Sequence, residues 1–141
     1  MIEGYRLTDN KNEMDVNVIH SYISKSYWAN GIPIDVLEKA IENSLCFAVV
    51  TAEGELVGFS RVITDYATYA YLSDVFVNEA HQGKGLSKEL LTAIARHPML
   101  QGLRRVMLAT KDAHGLYKQF GFSELASPER FMERWEPNIY S

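Results

Sequence analysis

Two stretches of this sequence carry residues that chemistry uses. The first is Gln82-Gly83-Lys84-Gly85-Leu86-Ser87. It follows Tyr69 to Val77, an aromatic and β-branched run that reads as a strand. From Leu86 the apolar residues fall at Leu86, Leu90, Leu91 and Ile94, the spacing of one helix face. A strand therefore runs through a short glycine-bearing loop into a helix. Such a loop aims several backbone N–H groups at one spot, and the helix adds the positive end of its dipole. Phosphate is the natural occupant. A dinucleotide fingerprint is excluded, because the position three after Gly85 is Lys88. No G-x-x-x-x-G-K-[ST] run exists, which excludes an NTPase P-loop.

The second stretch is Asp112 to Phe122. His114 and Tyr117 lie three apart, so a helix there places two proton-carrying groups on one face. Other candidates read as structural. The single cysteine, Cys46, sits in an apolar run and is expected to be a small buried hydrophobe. It excludes an internal disulfide, and no C-x-x-C pair exists for zinc. His20 and His97 have no partner at metal-ligand spacing, so no metal is expected.

A chain of 141 residues fits one domain, 1–141, large enough to bury a core without disulfides or metals. The first fifteen residues have no apolar centre, which argues against a signal peptide. No apolar run approaches the roughly 20 residues of a membrane span. The expectation is a cytoplasmic protein without membrane contact. The net charge of −4 argues against nucleic acid as a main partner and suits a cationic substrate.

The elements that must position these residues can be read in order. Gly4 to Thr8 suggests a short strand. Met14, Val18, Ile19, Tyr22 and Ile23 recur at helical spacing, with Asp9 or Asn10 as the expected cap. Trp28 to Pro33 punctuates the chain, and a second helix is expected from Pro33 to Asn43. Leu45–Thr51 and Leu56–Ile63 read as strands joined by a tight turn at Glu53-Gly54, and Tyr69–Val77 follows as a third. After the helix ending near Arg96, Arg104–Thr110 should be a strand parallel to Tyr69–Val77, because a helix connects the two. Lys111–Phe120 reads as a short helix, and Phe122–Leu125 and Phe131–Trp135 as closing strands.

With this order in hand, the two stretches resemble the motifs of the GNAT acetyltransferase superfamily. Gln82 and Gly85 match its pyrophosphate loop, Q/R-x-x-G-x-G/A, with Ser87 in place of the final small residue. Ala113, Leu116, Tyr117, Gly121 and Phe122 match its A-x-x-L-Y-x-x-x-G-F segment. The resemblance covers about residues 45 to 125. It implies an α+β fold, the GNAT acyl-CoA N-acyltransferase fold, with a mixed sheet of about six to seven strands flanked by about four helices.

The resemblance also implies acetyl-CoA as cosubstrate and a primary amine, on a small molecule or a protein, as acceptor. Pyrophosphate would sit on the N–H groups of Gln82, Gly83, Lys84, Gly85, Leu86 and Ser87. Val75, Phe76 and Val77 would bond the pantetheine arm as an added strand. Ala113 and Phe120 would complete the cofactor site. Tyr117 would protonate the leaving thiolate. Asp74 has two readings, a group that binds or deprotonates the amine, or a carboxylate paired with Arg61. Tyr27 and Trp28 likewise read either as an acceptor wall or as a hydrophobic joint between the first two helices. With no marked nucleophile, direct attack is favoured over an acyl-enzyme. The alternative reading is a non-catalytic acyl-CoA-binding regulatory module, which would not need Tyr117. Monomer and homodimer are both compatible with the sequence.

Overall fold

The computed structural model describes residues 1–141. The β-branched runs at its centre form an antiparallel meander, β2 (Leu45–Thr51), β3 (Leu56–Thr64) and β4 (Tyr69–Val77). β1 (Tyr5–Thr8) adds antiparallel to β2. β5 (Arg105–Leu108) adds parallel to β4, after a crossover through α3 (Leu86–Arg96). The sheet order is β1-β2-β3-β4-β5.

Helices cover both faces. α1 (Val16–Ile23) and α2 (Ile34–Glu42) bury Ile19, Ile23, Leu37 and Ile41 against Ala48, Phe59 and Phe76. On the other face α3 buries Leu86, Leu90, Leu91 and Ile94 against Phe47, Val49, Val57 and Leu72. α1 is capped by Asp15, whose carboxylate accepts the Asn17 N–H at 2.9 Å. The expected cap, Asn10, instead closes the 3₁₀ turn Lys11–Glu13. The fourth helix, α4 (His114–Lys118), is shorter than expected. It starts only after Ala113, whose N–H is held by the Thr110 hydroxyl at 3.1 Å.

The register of β4 breaks where function will need it. Val62 pairs with Leu72 and Arg61 with Asp74, so Ser73 is an extra residue, a β-bulge. Strict alternation would put residues 70, 72, 74 and 76 on one face. Instead Ala70 and Leu72 pack under α3, while Phe76 packs under α1 and α2. The bulge thus turns Asp74 toward the α1–α2 side. Pairing with β5 also stops there, at Leu72 with Leu108. Residues 73–77 of β4 keep an open edge.

The sheet has five strands, not the six to seven expected. Phe122–Leu125 and Phe131–Trp135 form no ladder. Between them Pro128, which has no N–H to donate, opens the 3₁₀ turn Pro128–Arg130. Beyond it Phe131 lies under the Arg105 guanidinium at 4.9 Å, but Met132 is 98% and Trp135 72% exposed. No helix is long and apolar enough to cross a membrane.

Leu90 is fully buried beneath α3. Leu90→Ala should lower the unfolding free energy by about 2–5 kcal/mol, the cost of an unfilled core site. Urea denaturation measures it, and a loss well under about 1 kcal/mol would mean that α3 contributes little to the core.

Candidate active site

The loop after β4 is shaped by its own side chains. Asn78 accepts the Ala80 N–H at 3.1 Å and caps the 3₁₀ turn Glu79–His81. Gln82 Nε2 donates to the Val77 carbonyl at 2.9 Å, which ties the loop back to the strand end. Gly83 and Gly85 then take φ of +79° and +84°, a left-handed conformation that side chains resist. The N–H groups of Gly83, Lys84 and Gly85 find no acceptor in the protein, nor do those of Leu86, Ser87 and Lys88 in the first turn of α3. A Cβ added at Gly83 would meet nothing within 4 Å. This is an open cradle of N–H donors at a helix N-terminus, and it fits a pyrophosphate. The N-terminal strand buttresses it, with the Tyr5 hydroxyl 2.7 Å from His81 Nδ1 and the Lys84 ammonium 5.7 Å over the Tyr5 ring.

The open edge of β4 leads away from this cradle. The Asn78 N–H donates to the Val57 carbonyl of β3 at 2.7 Å. By alternation the backbone groups of Phe76 and Asp74 also face β3, and those of Val75 and Val77 face the open side. The Val77 carbonyl is taken by Gln82. The Val75 N–H and carbonyl and the Val77 N–H remain, and they fit an extended arm with amide groups of its own. Of the three residues expected to pair with such an arm, Phe76 contributes its ring to the core instead.

A cavity of about 420 Å³ opens at the far end of this edge, lined by Tyr27, Trp28, Ser73, Val75, Thr110, Ala113 and Tyr117 among others. Tyr117 comes from α4, with its ring edge-on to Phe122 at 5.9 Å. Neighbouring hydrogen bonds use the hydroxyls of Tyr27 and Thr110, and the Tyr117 hydroxyl is in none. Burial pushes the Tyr117 phenol above its ordinary pKa, and the nearby Tyr27 adds to the shift. It therefore keeps its proton across the neutral range. His114 starts α4 and shares a neighbouring cavity with Tyr117. Phe120 lies elsewhere, lining an apolar cavity of about 470 Å³ beneath α3.

Asp74 is 2% exposed and lines neither the notch nor its cavity. Arg61 Nε donates to one of its oxygens at 2.7 Å, and Trp28 Nε1 donates to the other at 2.6 Å. Arg61 also reaches Ser44 Oγ at 3.2 Å and Ser73 Oγ at 2.7 Å. Trp28 meets the Tyr27 ring edge-on at 5.1 Å. The Tyr27 hydroxyl accepts the Lys111 N–H at 3.2 Å, from the loop between β5 and α4. A chain of contacts thus runs from the buried pair, through Trp28 and Tyr27, across the notch to the segment that carries Tyr117. Sequence reasoning missed the bulge and the Tyr27–Lys111 contact. The one visible signal was Ser73-Asp74, a polar pair inside an apolar strand.

The comparisons with known proteins agree with this geometry. The sequence model of the Acetyltransferase (GNAT) family matches residues 15–122. The chain belongs to the GNAT family. A crystal structure from Xanthomonas campestris pv. campestris, assigned to the same family, is 45% identical with a TM-score of 0.96, covering 100% of this chain and 99% of that one. An acetyltransferase-type structure from Deinococcus radiodurans R1 shares the fold at 16% identity, with a TM-score of 0.77 over 98% of this chain and 92% of its own. A Gibberella zeae protein named as an acetyltransferase is 33% identical over 79% of this chain and 75% of its own. Several further curated relatives are longer, and the chain spans 44% to 59% of their length. GNAT enzymes use acetyl-CoA as cosubstrate, and this chain is an acetyltransferase of that kind.

The buried pair makes a stability prediction. Asp74→Asn leaves the Arg61 guanidinium without its counter-charge in a site where its side chain is 14% exposed. The variant should lose about 3 kcal/mol of unfolding free energy, the lower end for a broken buried pair. Equal stability of the two proteins in denaturant would show that solvent, not Asp74, balances Arg61.

Proposed function

We propose that the chain binds acetyl-CoA along the open edge of β4 and passes its acetyl group directly to a primary amine. The pyrophosphate lies on the free N–H groups from Gly83 to Ser87, with the Gln82 side chain holding the loop in shape. The arm follows Val75 and Val77 toward the cavity, and the thioester comes to rest beside Tyr117. The open stretch of five residues, Ser73–Val77, is roughly 16 Å of strand, so one extended arm links cradle and cavity.

The observation that carries this reading is the Tyr117 hydroxyl. It is half-buried, protonated, and unbonded at the end of the only β4 edge left open. A departing thiolate needs a proton, and this hydroxyl supplies it. A non-catalytic acyl-CoA-binding module would need the cradle but no such donor. Direct transfer is supported by Cys46, which is fully buried and whose thiol is pushed up to about 11 by its burial. It is a poor nucleophile in a place no thioester reaches. Asp74, with both oxygens already bonded, acts as a positioning residue through Trp28 and not as the base. Tyr27 and Trp28 form the wall past which the amine approaches.

Two variants test the reading. Gly85→Val puts a branched side chain at a φ of +84°, which side chains resist, with its Cβ 3.6 Å from Ile2 Cδ1, and so shifts the N–H groups of the cradle. Acetyl-CoA affinity should fall about 10- to 100-fold, the loss of one or two charge-assisted hydrogen bonds. Circular dichroism should show the fold retained. Unchanged affinity in calorimetry would remove the loop from the cofactor site. Tyr117→Phe keeps the ring and deletes the proton donor. Turnover, followed as thiol release, should drop roughly 10²-fold with acetyl-CoA affinity nearly unchanged. Full turnover in this variant would leave Tyr117 with a packing role only.

A further inference from the structure

Tyr27 and Trp28 have a second side. They also line a cavity of about 660 Å³ on the α1 face of the sheet, separate from the notch. Its walls include Tyr22 and Phe76, stacked face to face at 4.0 Å with 11° between their planes, and Leu56. A volume of this order is that of a small-molecule pocket.

Charge in this cavity is balanced. Its ionisable lining is one lysine, Lys25, and one carboxylate, Glu79. Neither is paired within the protein, whose ion pairs are Arg6–Glu13, Arg61–Asp74 and His97–Asp9. The notch cavity likewise holds one of each, Lys111 and Asp112. Asp74, the group that the sequence offered to a cationic substrate, lines neither cavity and is neutralised by Arg61. The region therefore holds no surplus of negative charge for a polycation. What it presents instead is aromatic surface from Tyr22, Tyr27 and Trp28.

We propose that this second cavity is the acceptor pocket, and that it takes a small primary monoamine with a flat apolar body. The body lies against the Tyr22 ring, which Phe76 backs from the core, and against Trp28, and its amine points past Tyr27 into the notch. The assignment rests on the reading that acetyl-CoA occupies the notch. Ring-on-ring contact and burial together set the expected preference at about tenfold or more over an acceptor that cannot stack.

The test is steady-state thiol release by the full chain with 2-phenylethylamine, spermidine and a lysine-containing peptide, beside calorimetry with acetyl-CoA alone. The kcat/KM for 2-phenylethylamine should exceed both others by at least about tenfold. Tyr22→Leu keeps apolar bulk but removes the flat ring. It should raise the KM for 2-phenylethylamine about tenfold and leave acetyl-CoA affinity and kcat near wild type, while Tyr22→Phe restores the KM. Preference for spermidine or the peptide, or no turnover of the aromatic amine by a protein that binds acetyl-CoA, overturns the pocket assignment. So does a Tyr22→Leu enzyme with an unchanged KM. Failure of the wild-type chain to bind acetyl-CoA would instead overturn the notch reading, so the two failures are distinguishable.

Discussion

One irregularity in β4 governs the rest of the site. At Leu72 the strand loses its β5 neighbour, and at the next residue, Ser73, it takes an extra residue against β3. The two events have separate consequences. Loss of β5 leaves a row of backbone groups unpaired, a feature that sheets ordinarily cover. The bulge shifts the side-chain phase, so that a carboxylate that alternation would send into the apolar core beneath α3 faces the α1–α2 loop instead. An unbroken ladder would have neither an open edge nor a place for Asp74.

Asp74 then explains a buried cation. Taking a carboxylate and a guanidinium out of water costs several kcal/mol per ion before their attraction is counted. Here the cost is offset by geometry, since Asp74 bonds through both oxygens and Arg61 spreads its donors over Asp74, Ser44 and Ser73. Those partners sit at the end of α2, in the bulge and in the α1–α2 loop. A hydrophobic pair of similar volume would fill the space, but it would leave the indole N–H of Trp28 without a fixed acceptor. The pair therefore sets where Trp28 stands. Through the edge-on contact with Tyr27 and the Tyr27–Lys111 hydrogen bond, it also sets the distance between the two walls of the notch.

How much of this was legible in the sequence follows from the range of each interaction. β2, β3 and β4 could be read because their patterning is local and the tight turn at Glu53-Gly54 joins the first two. The phosphate loop could be read because glycine spacing and the helix face of Leu86, Leu90, Leu91 and Ile94 are contiguous. Phe131–Trp135 carries two aromatic residues, which favour a strand, but a strand also needs a partner edge and a face to bury. The bulge left only a polar dipeptide as its trace. The partner of Asp74 was named in the sequence as one of two readings, but choosing it required the β3–β4 register, which pairs Arg61 with Asp74 directly.

The neutralised Asp74 leaves the question of where the acceptor's proton goes. An ammonium cannot attack a thioester, and no free carboxylate stands in the notch beyond Asp112 at its rim. In the proposed pocket the environment itself does part of this work. Its lining carries one lysine and one carboxylate, Lys25 and Glu79, so it adds no net negative charge that would hold the ammonium form. A surplus of carboxylates would bind a cationic amine more tightly and hold it protonated, which stabilises the ground state and not the attack. A lining without net negative charge gives up that attraction, and in return it leaves a larger fraction of the bound amine free to attack the thioester. On this account, cancelling Asp74 with Arg61 belongs to the chemistry as much as to the fold. The same pair that aims Trp28 keeps a full negative charge from acting on the amine.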